Sequence, residues 1–364
     1  MKQLTIAVPS YNSEKFLDKG LGSYVYEDGT MDPRLQIIVV NDGSTDGTLA
    51  LANEWADRFP DNIIVVDKEN GGHGSGINAG ADRAEGRYYK VIDSDDWILT
   101  ENLPAVLDAL EETNADAVIT GFHTVNMVSG VVLPYGTGQL PEPDEKKKAE
   151  LGTEFANLRC FGKREAAFTE LMEEIDNIPA IQSFHGIMYN TEFYRGTGIR
   201  MSEKVFFEDQ EYAILPFAHV ETVLLLPEFF YEYQIGSANQ SVNFENQAKR
   251  SSHFLGVMEK MINYHKSCTG LNEAQDEFII WRLCNAAVSY YATVLVKGSD
   301  KADGRAKALE FRSFLQEKEP EVAGRCEGKY KTMLKLNKIP GAASLYGKLF
   351  NSKFYASFKK HWIR

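Results

Sequence analysis

The sequence predicts an α/β protein with a parallel sheet and crossover helices, followed by a helical C-terminal region. Three observations predict it. Short apolar runs alternate with amphipathic segments through the first hundred residues. Each run hands over at its C-terminal end to a polar turn, "PSYN", "NDGSTDGT", "NGGHGSGINAG" and "DSDD", and in open α/β sheets ligands bind at the carboxyl ends of the strands. Beyond residue 246 the pattern turns helical.

In order, the alternation in "LTIAVPSY" reads as the first strand, and its apolar run is too short for a signal peptide. A helix is expected from Ser13 to Tyr26, then the strong strand "LQIIVV" (35–40), a helix from Thr45 to Phe59 and the strand "NIIVVD" (62–67). A helix from Ser75 to Ala84, the strand "YYKVID" (88–93), a helix from Glu101 to Thr113 and the strand "ADAVITGF" continue the domain. "LPEPDEKKKAELG" (140–152) reads as an exposed charged excursion, and Glu154 to Pro179 as helical. Later helices are expected over Gln247 to Lys266, Glu273 to Val296 and Lys301 to Lys318. The run "LCNAAVSYYATVLV" within the second of these is too short to span a bilayer and includes Asn285, so a buried helix is expected. These readings divide the chain into an α/β domain (1–235), a helical region (236–328) and a basic tail (329–364).

The chain has 364 residues, 43% of them apolar, enough for a large α/β domain with its own core plus an accessory region. The net charge of −13 is unevenly spread: nine Lys or Arg and no acidic residue follow Gly328, leaving 30 basic against 52 acidic residues in 1–327. An acidic body argues against general nucleic-acid binding. Cys160, Cys268, Cys284 and Cys326 show no metal spacing and read as reduced thiols of a cytosolic protein.

The chemistry concentrates in the turns. In "KVIDSDDW", Asp93, Asp95 and Asp96 crowd the end of an apolar strand, where mutual repulsion costs stability unless a cation offsets it. Carboxylates at DxD spacing hold a divalent ion through hard oxygen ligands and leave coordination sites for water and a diphosphate. A capping role before the next helix would account for one Asp of the three. "NDGSTDGT" imitates the start of an EF-hand loop, but the twelfth position is Asn53 rather than Glu and a strand precedes it. Asp42 at that strand end can instead accept hydrogen bonds from a base edge or a ribose. The glycines of "NGGHGSGINAG" let backbone approach a ligand, and no Walker or GxGxxG pattern is present. Glu208 and Asp209 in "FFEDQEY" could serve as an acidic pair at a helix N-terminus.

"TIAVPSYN", "IIVVNDGSTDGT", "NGGHGSGINAG", "VIDSDDW" and "KVFFEDQEY" resemble, in order and spacing, the family-two glycosyltransferases, inverting enzymes of the GT-A fold, over roughly residues 1–235. The resemblance implies a Rossmann-like mixed sheet flanked by helices and a nucleotide-sugar donor, with uracil as the base in the best-known relatives. It implies that Tyr11 stacks near the base, that Asp42 hydrogen-bonds it, and that Pro9 and Asn12 shape the pocket. Asn70, Gly72 and Ser94 fall in the implied donor-binding loops. Asp93 would lie beside the ribose or sugar, Asp95 would ligate Mn2+ or Mg2+, Asp96 would face the donor sugar, and Asp209 would be the base. His185 and Glu208 are implied acceptor contacts.

The chain departs from the family where an Arg commonly precedes Asn78; Ile77 stands there, and His73 is expected to supply that function toward the diphosphate. The QxxRW signature of processive synthases is absent, favouring transfer of one sugar at a time to a saccharide or lipid-linked acceptor in bacterial surface-polymer synthesis. The rival readings are a metal-dependent nucleotidyltransferase, for which the first loop offers only Lys15, and a catalytically silent nucleotide-sugar-binding module. In the tail, Tyr346, Phe350, Phe354, Phe358 and Trp362 recur every four residues, an amphipathic basic helix that either packs on the body or rests on the anionic cytoplasmic face of a membrane.

Overall fold

The computed structural model describes residues 1–137, 162–236 and 250–341. The chain divides into two compact units, whose described parts are 1–137 with 162–236 and 250–341.

The first unit opens with β1 (Leu4–Ser10), α1 (Glu14–Gly22), β2 (Leu35–Asp42), α2 (Thr48–Arg58), β3 (Ile63–Lys68), α3 (His73–Arg83) and β4 (Tyr88–Val91). β1 and β2 are buried along their whole length, which their mainly apolar runs anticipate. The short β5 (Trp97–Ile98), α4 (Leu103–Glu112), β6 (Ala117–Asn126), β7 (Val132–Tyr135) and β8 (Arg164–Ala167) follow. α5 (Phe168–Leu171), β9 (Ile187–Asn190), α6 (Thr191–Gly196), α7 (Asp209–Ile214) and the 14-residue β10 (Thr222–Ile235) complete the unit.

All ten described strands form one sheet, ordered β3-β2-β1-β4-β9-β6-β10-β5, with β7 on β6 and β8 on β10. β3, β2, β1 and β4 are parallel, β9 runs antiparallel between β4 and β6, and β10 pairs parallel with β6, so the sheet is mixed. α3 lies unusually close to β1: a Cβ on Gly76 would stand 2.7 Å from the Pro9 Cβ, and one on Gly80 2.5 Å from the Ala7 Cβ. α4 buries Leu103, Val106, Leu107 and Leu110 at helical spacing, each worth roughly 1.5–3 kcal/mol.

Two differences from expectation have physical causes. Residues 164–167, read as helical, form strand β8, because they pair antiparallel with Thr222–Leu225 of β10 and the sheet edge overrides local propensity. β4 ends at Val91, two residues short of Asp93, so the carboxylate cluster sits on a turn closed by the Asp96 amide on the Asp93 carbonyl at 3.0 Å.

The second unit holds α8 (Ser251–Ser267), α9 (Glu273–Tyr291), α10 (Lys301–Lys318) and α11 (Pro320–Leu336). A reciprocal cap starts α9: Asn272 Oδ1 accepts from the Gln275 amide at 2.9 Å, and Gln275 Oε1 from the Asn272 amide at 3.1 Å. α9 continues into a wider turn over Ala292–Lys297, where Asn337 Nδ2 donates to the Leu295 carbonyl at 2.7 Å. Glu273–Lys297 is long and apolar enough to cross a membrane by composition, yet 83% of its most apolar window is buried within the protein, as expected of a core helix. α11 was not anticipated and runs through Gly328, so the basic tail begins inside a helix. Cys268, Cys284 and Cys326 are free thiols. Cys160, the 140–152 excursion and the aromatic stripe 346–362 lie outside the described residues.

Candidate active site

The loops after β1, β2, β3 and β4 are tied to one another at the carboxyl edge of the sheet. Asn12, held at φ 52°, accepts from the Thr45 amide through Oδ1 at 2.8 Å and donates its own amide to Ser44 Oγ at 3.0 Å. Ser13 Oγ and Ser94 Oγ are 2.6 Å apart. Tyr11 is 54% exposed. Asn70 Nδ2 donates to the Asp42 carbonyl at 2.9 Å.

Asp42 is buried, and its carboxylate cradles the glycine loop. Oδ1 accepts from Lys68 Nζ (2.8 Å), the Gly71 amide (2.9 Å) and Ser75 Oγ (3.1 Å), and Oδ2 from the Gly72 amide (2.7 Å). Burial opposes its ionisation, but the Lys68 ammonium and the two amides outweigh that and hold its pKa below the ordinary value. Oδ1 is saturated, so a base edge would meet Oδ2 alone.

The 93–96 turn faces two ways. Asp93 is half-buried and receives His73 Nε2 at 2.8 Å, while its amide donates to Tyr231 Oη at 3.1 Å. Asp96, expected to face the donor sugar, is turned inward instead. It is 1% exposed, its Oδ2 accepts from Tyr231 Oη at 2.6 Å, and its Oδ1 accepts from the Gln234 amide at 2.7 Å. Those partners sit on β10 past its bulges at Leu225–Tyr231, irregularities of the kind that re-aim side chains beside active sites. Burial and the charges of Asp93 and Asp95 push Asp96 well above the usual carboxylate range.

His185 completes this corner. It is 7% exposed, its Nδ1 bonds Ser183 Oγ, and its Nε2 is buried without a hydrogen-bond partner. Burial pushes its pKa down to about 3, which leaves a neutral imidazole, the ligating form. Asp93, Asp96 and His185 each offer a ligand atom, all within 4.8 Å of one another. Two carboxylates and a neutral imidazole with an orphaned nitrogen suit a divalent cation, whose charge would reverse the local penalty on Asp96. Asp95, the expected ligand, is not part of this trio, because the turn brings positions 93 and 96 to the same side.

The acidic pair Glu208–Asp209 comes from the segment just before and at the start of α7. Asp209 opens α7 partly exposed, and burial, then the adjacent Glu208 charge, pushes its pKa up to about 6. Glu208 is 5% exposed: Oε1 bonds His73 Nδ1 at 2.7 Å, and Oε2 is buried without a hydrogen-bond partner. His73 was expected to serve the diphosphate. Both its ring nitrogens are instead taken by carboxylates, Asp93 and Glu208, so it has no free N–H for a phosphate. Burial works against its protonation, but the two carboxylates raise its pKa well above 6.5.

Sequence reasoning missed Tyr231, Gln234 and Lys90. Lys90 is fully buried in β4 and donates to the carbonyls of His185 (2.6 Å) and Ile187 (3.3 Å), with its pKa pushed down to about 7 by burial. It anchors the segment that carries His185. A lone lysine inside the apolar run "YYKVI" was the available signal.

The chain is similar to known proteins in sequence and fold. The family model "Glycosyl transferase family 2" matches residues 5–194, just over half of the chain. Glycosyltransferase GlyA of Streptococcus pneumoniae is 30% identical over 129 residues, 35% of this chain and 18% of GlyA. The poly(ribitol-phosphate) beta-N-acetylglucosaminyltransferase TarS of Staphylococcus aureus is 29% identical over 126 residues, 35% of this chain and 22% of TarS. The chain thus matches about a fifth of the length of these relatives. The crystal structure of TarS 1–349 with UDP-GlcNAc superposes with a TM-score of 0.64 at 21% identity, covering 96% of this chain and 92% of that one, and so shares the fold. With the mixed sheet, flanking helices and helical C-terminal region, the chain has the GT-A fold and belongs to glycosyl transferase family 2.

Proposed function

We propose that this protein transfers a sugar from a UDP-linked donor to a hydroxyl acceptor with inversion, in the synthesis of a bacterial cell-surface polymer. The observation that carries the reading is the meeting, through His73, of the DSDD turn with Glu208–Asp209, segments more than a hundred residues apart in sequence. Family membership and relatives that act on poly(ribitol-phosphate) support it, and the UDP-GlcNAc complex of TarS supports the donor class.

Asp209 takes the proton of the acceptor hydroxyl as that oxygen attacks the anomeric carbon from the face opposite the diphosphate. The bond from that carbon to the diphosphate oxygen breaks and UDP leaves. Mn2+ or Mg2+ held by Asp93, Asp96 and His185, with Asp95 in the same turn, would offset the leaving-group charge. Tyr11 stacks on the base, and Asp42 Oδ2 accepts from its edge.

A thermal-shift panel of UDP-, GDP-, CMP- and dTDP-sugars, each with and without Mn2+, tests this. At a hundred times its dissociation constant a ligand stabilises by about 2.7 kcal/mol, so a UDP-sugar with Mn2+ is expected to raise the midpoint visibly. No metal-dependent shift from any nucleotide class would sink the reading. Mn2+ binding followed by electron paramagnetic resonance separates the ligands: His185→Ala is expected to weaken it by roughly 10–100-fold, the scale set by disturbing a metal's support. If only Asp95→Ala does so, the trio is not the metal site.

A further inference from the structure

We propose that His73 is a positioning residue of the transfer reaction, holding the donor-side carboxylate Asp93 and the base-bearing segment Glu208–Asp209 at one fixed spacing. The inference rests on the transferase reading above and assigns a further role within it. The ring spans two carboxylates 20 and 135 residues away in sequence, at 2.8 Å to Asp93 and 2.7 Å to Glu208. Without the ring the carboxylates would face each other with like charge and nothing between them.

The surroundings fix both ends of this bridge. His73 is the first residue of α3, preceded by Gly72 at φ 85°. The same turn is pressed against the base segment, the Gly71 carbonyl accepting from the Lys204 amide at 2.7 Å. On the other side, Phe207 is held at φ 77°, a conformation that a non-glycine residue keeps only where the surroundings over-determine it. Glu208 is therefore presented in one orientation, with Oε1 on the imidazole and Oε2 left buried without a hydrogen-bond partner. Because both ring nitrogens are occupied, the ring acts by placing Asp93 and Glu208 rather than by touching substrate.

The test uses the full chain with His73→Ala and His73→Gly, read in two ways. Hydrogen exchange needs no substrate. Residues 92–97 and 205–212 are expected to exchange about tenfold faster or more in both variants, with β1 unchanged. Release of UDP from UDP-N-acetylglucosamine is expected to fall on the order of 10²-fold in kcat, the cost of a small misplacement, while donor affinity changes less than about threefold. Added imidazole is expected to restore part of the His73→Gly rate saturably, which a merely structural loss would not allow. Unchanged exchange, exchange confined to one segment, or a loss carried wholly by donor affinity without imidazole rescue would each overturn the role. If the wild type released no UDP, the transferase reading would fail there, and the exchange measurement would still decide whether His73 ties the two segments together.

Discussion

Replacing Asp209 with asparagine is expected to lower turnover by about 10²–10⁴-fold, the usual contribution of a general base, with donor affinity almost unchanged. The amide keeps the size and the position at the start of α7 but cannot take a proton from the acceptor. The wild-type pH profile checks the same assignment. A base must be ionised to work, and burial beside Glu208 places the Asp209 pKa at about 6. Below that value the working fraction falls roughly tenfold per pH unit, so kcat/KM should show an acid limb near pH 6, well above an ordinary Asp at about 3.9. The residual activity of Asp209→Asn should lack that limb. Near-normal turnover in the variant would move the base to Glu208, whose Oε2 is buried without a partner.

The parts of this site that could be read in the sequence are those governed by local pattern. Apolar runs located β1 to β4, and the polar turns at their ends singled out Asp42 and Asp93, while Asp209 came only from an acidic pair and a family resemblance. What the sequence could not show is set by partners far along the chain. Asp96 turns inward because Tyr231 and Gln234 receive it from β10, and nothing in "DSDDW" announces residues about 135 positions away. His73 looks like a donor toward phosphate until Glu208 and Asp93 are seen to occupy both its nitrogens. β8 follows the same rule, since its strand state comes from the edge of β10. α11 is the opposite case, a signal that was present: Pro320 at the first turn, with Val322, Cys326, Tyr330 and Met333 buried at intervals of four, four and three.

Gly74→Ala is expected to damage both stability and turnover, although alanine is the better helix former by about 1 kcal/mol. A Cβ at position 74 would stand 2.1 Å from the Ser202 carbonyl oxygen and 3.1 Å from the Glu208 Cγ. That oxygen belongs to backbone that cannot retreat freely. The Ser202 amide and hydroxyl bond the buried Glu211 at 2.8 and 2.6 Å, and Asn78 holds Met201 through bonds of 2.8 and 3.0 Å. α3 must therefore move away from the Ser202–Glu208 segment and carry His73 with it. Overpacking costs about 1–3 kcal/mol and occasionally more, so the clash outweighs the propensity gain, and a fall of roughly 2–8 °C in Tm is expected for a unit of this size. Turnover should fall on the order of 10²-fold, because the same shift opens the spacing between Asp93 and Glu208. Gly256→Ala is the matched control: Gly256 lies exposed within α8 with nothing within 4 Å of a built Cβ, and the substitution should raise stability by up to about 1 kcal/mol. If Gly74→Ala behaved like Gly256→Ala, the first turn of α3 would not be pressed on Ser202 and Glu208, and the spacing it sets across the site would lose its foundation.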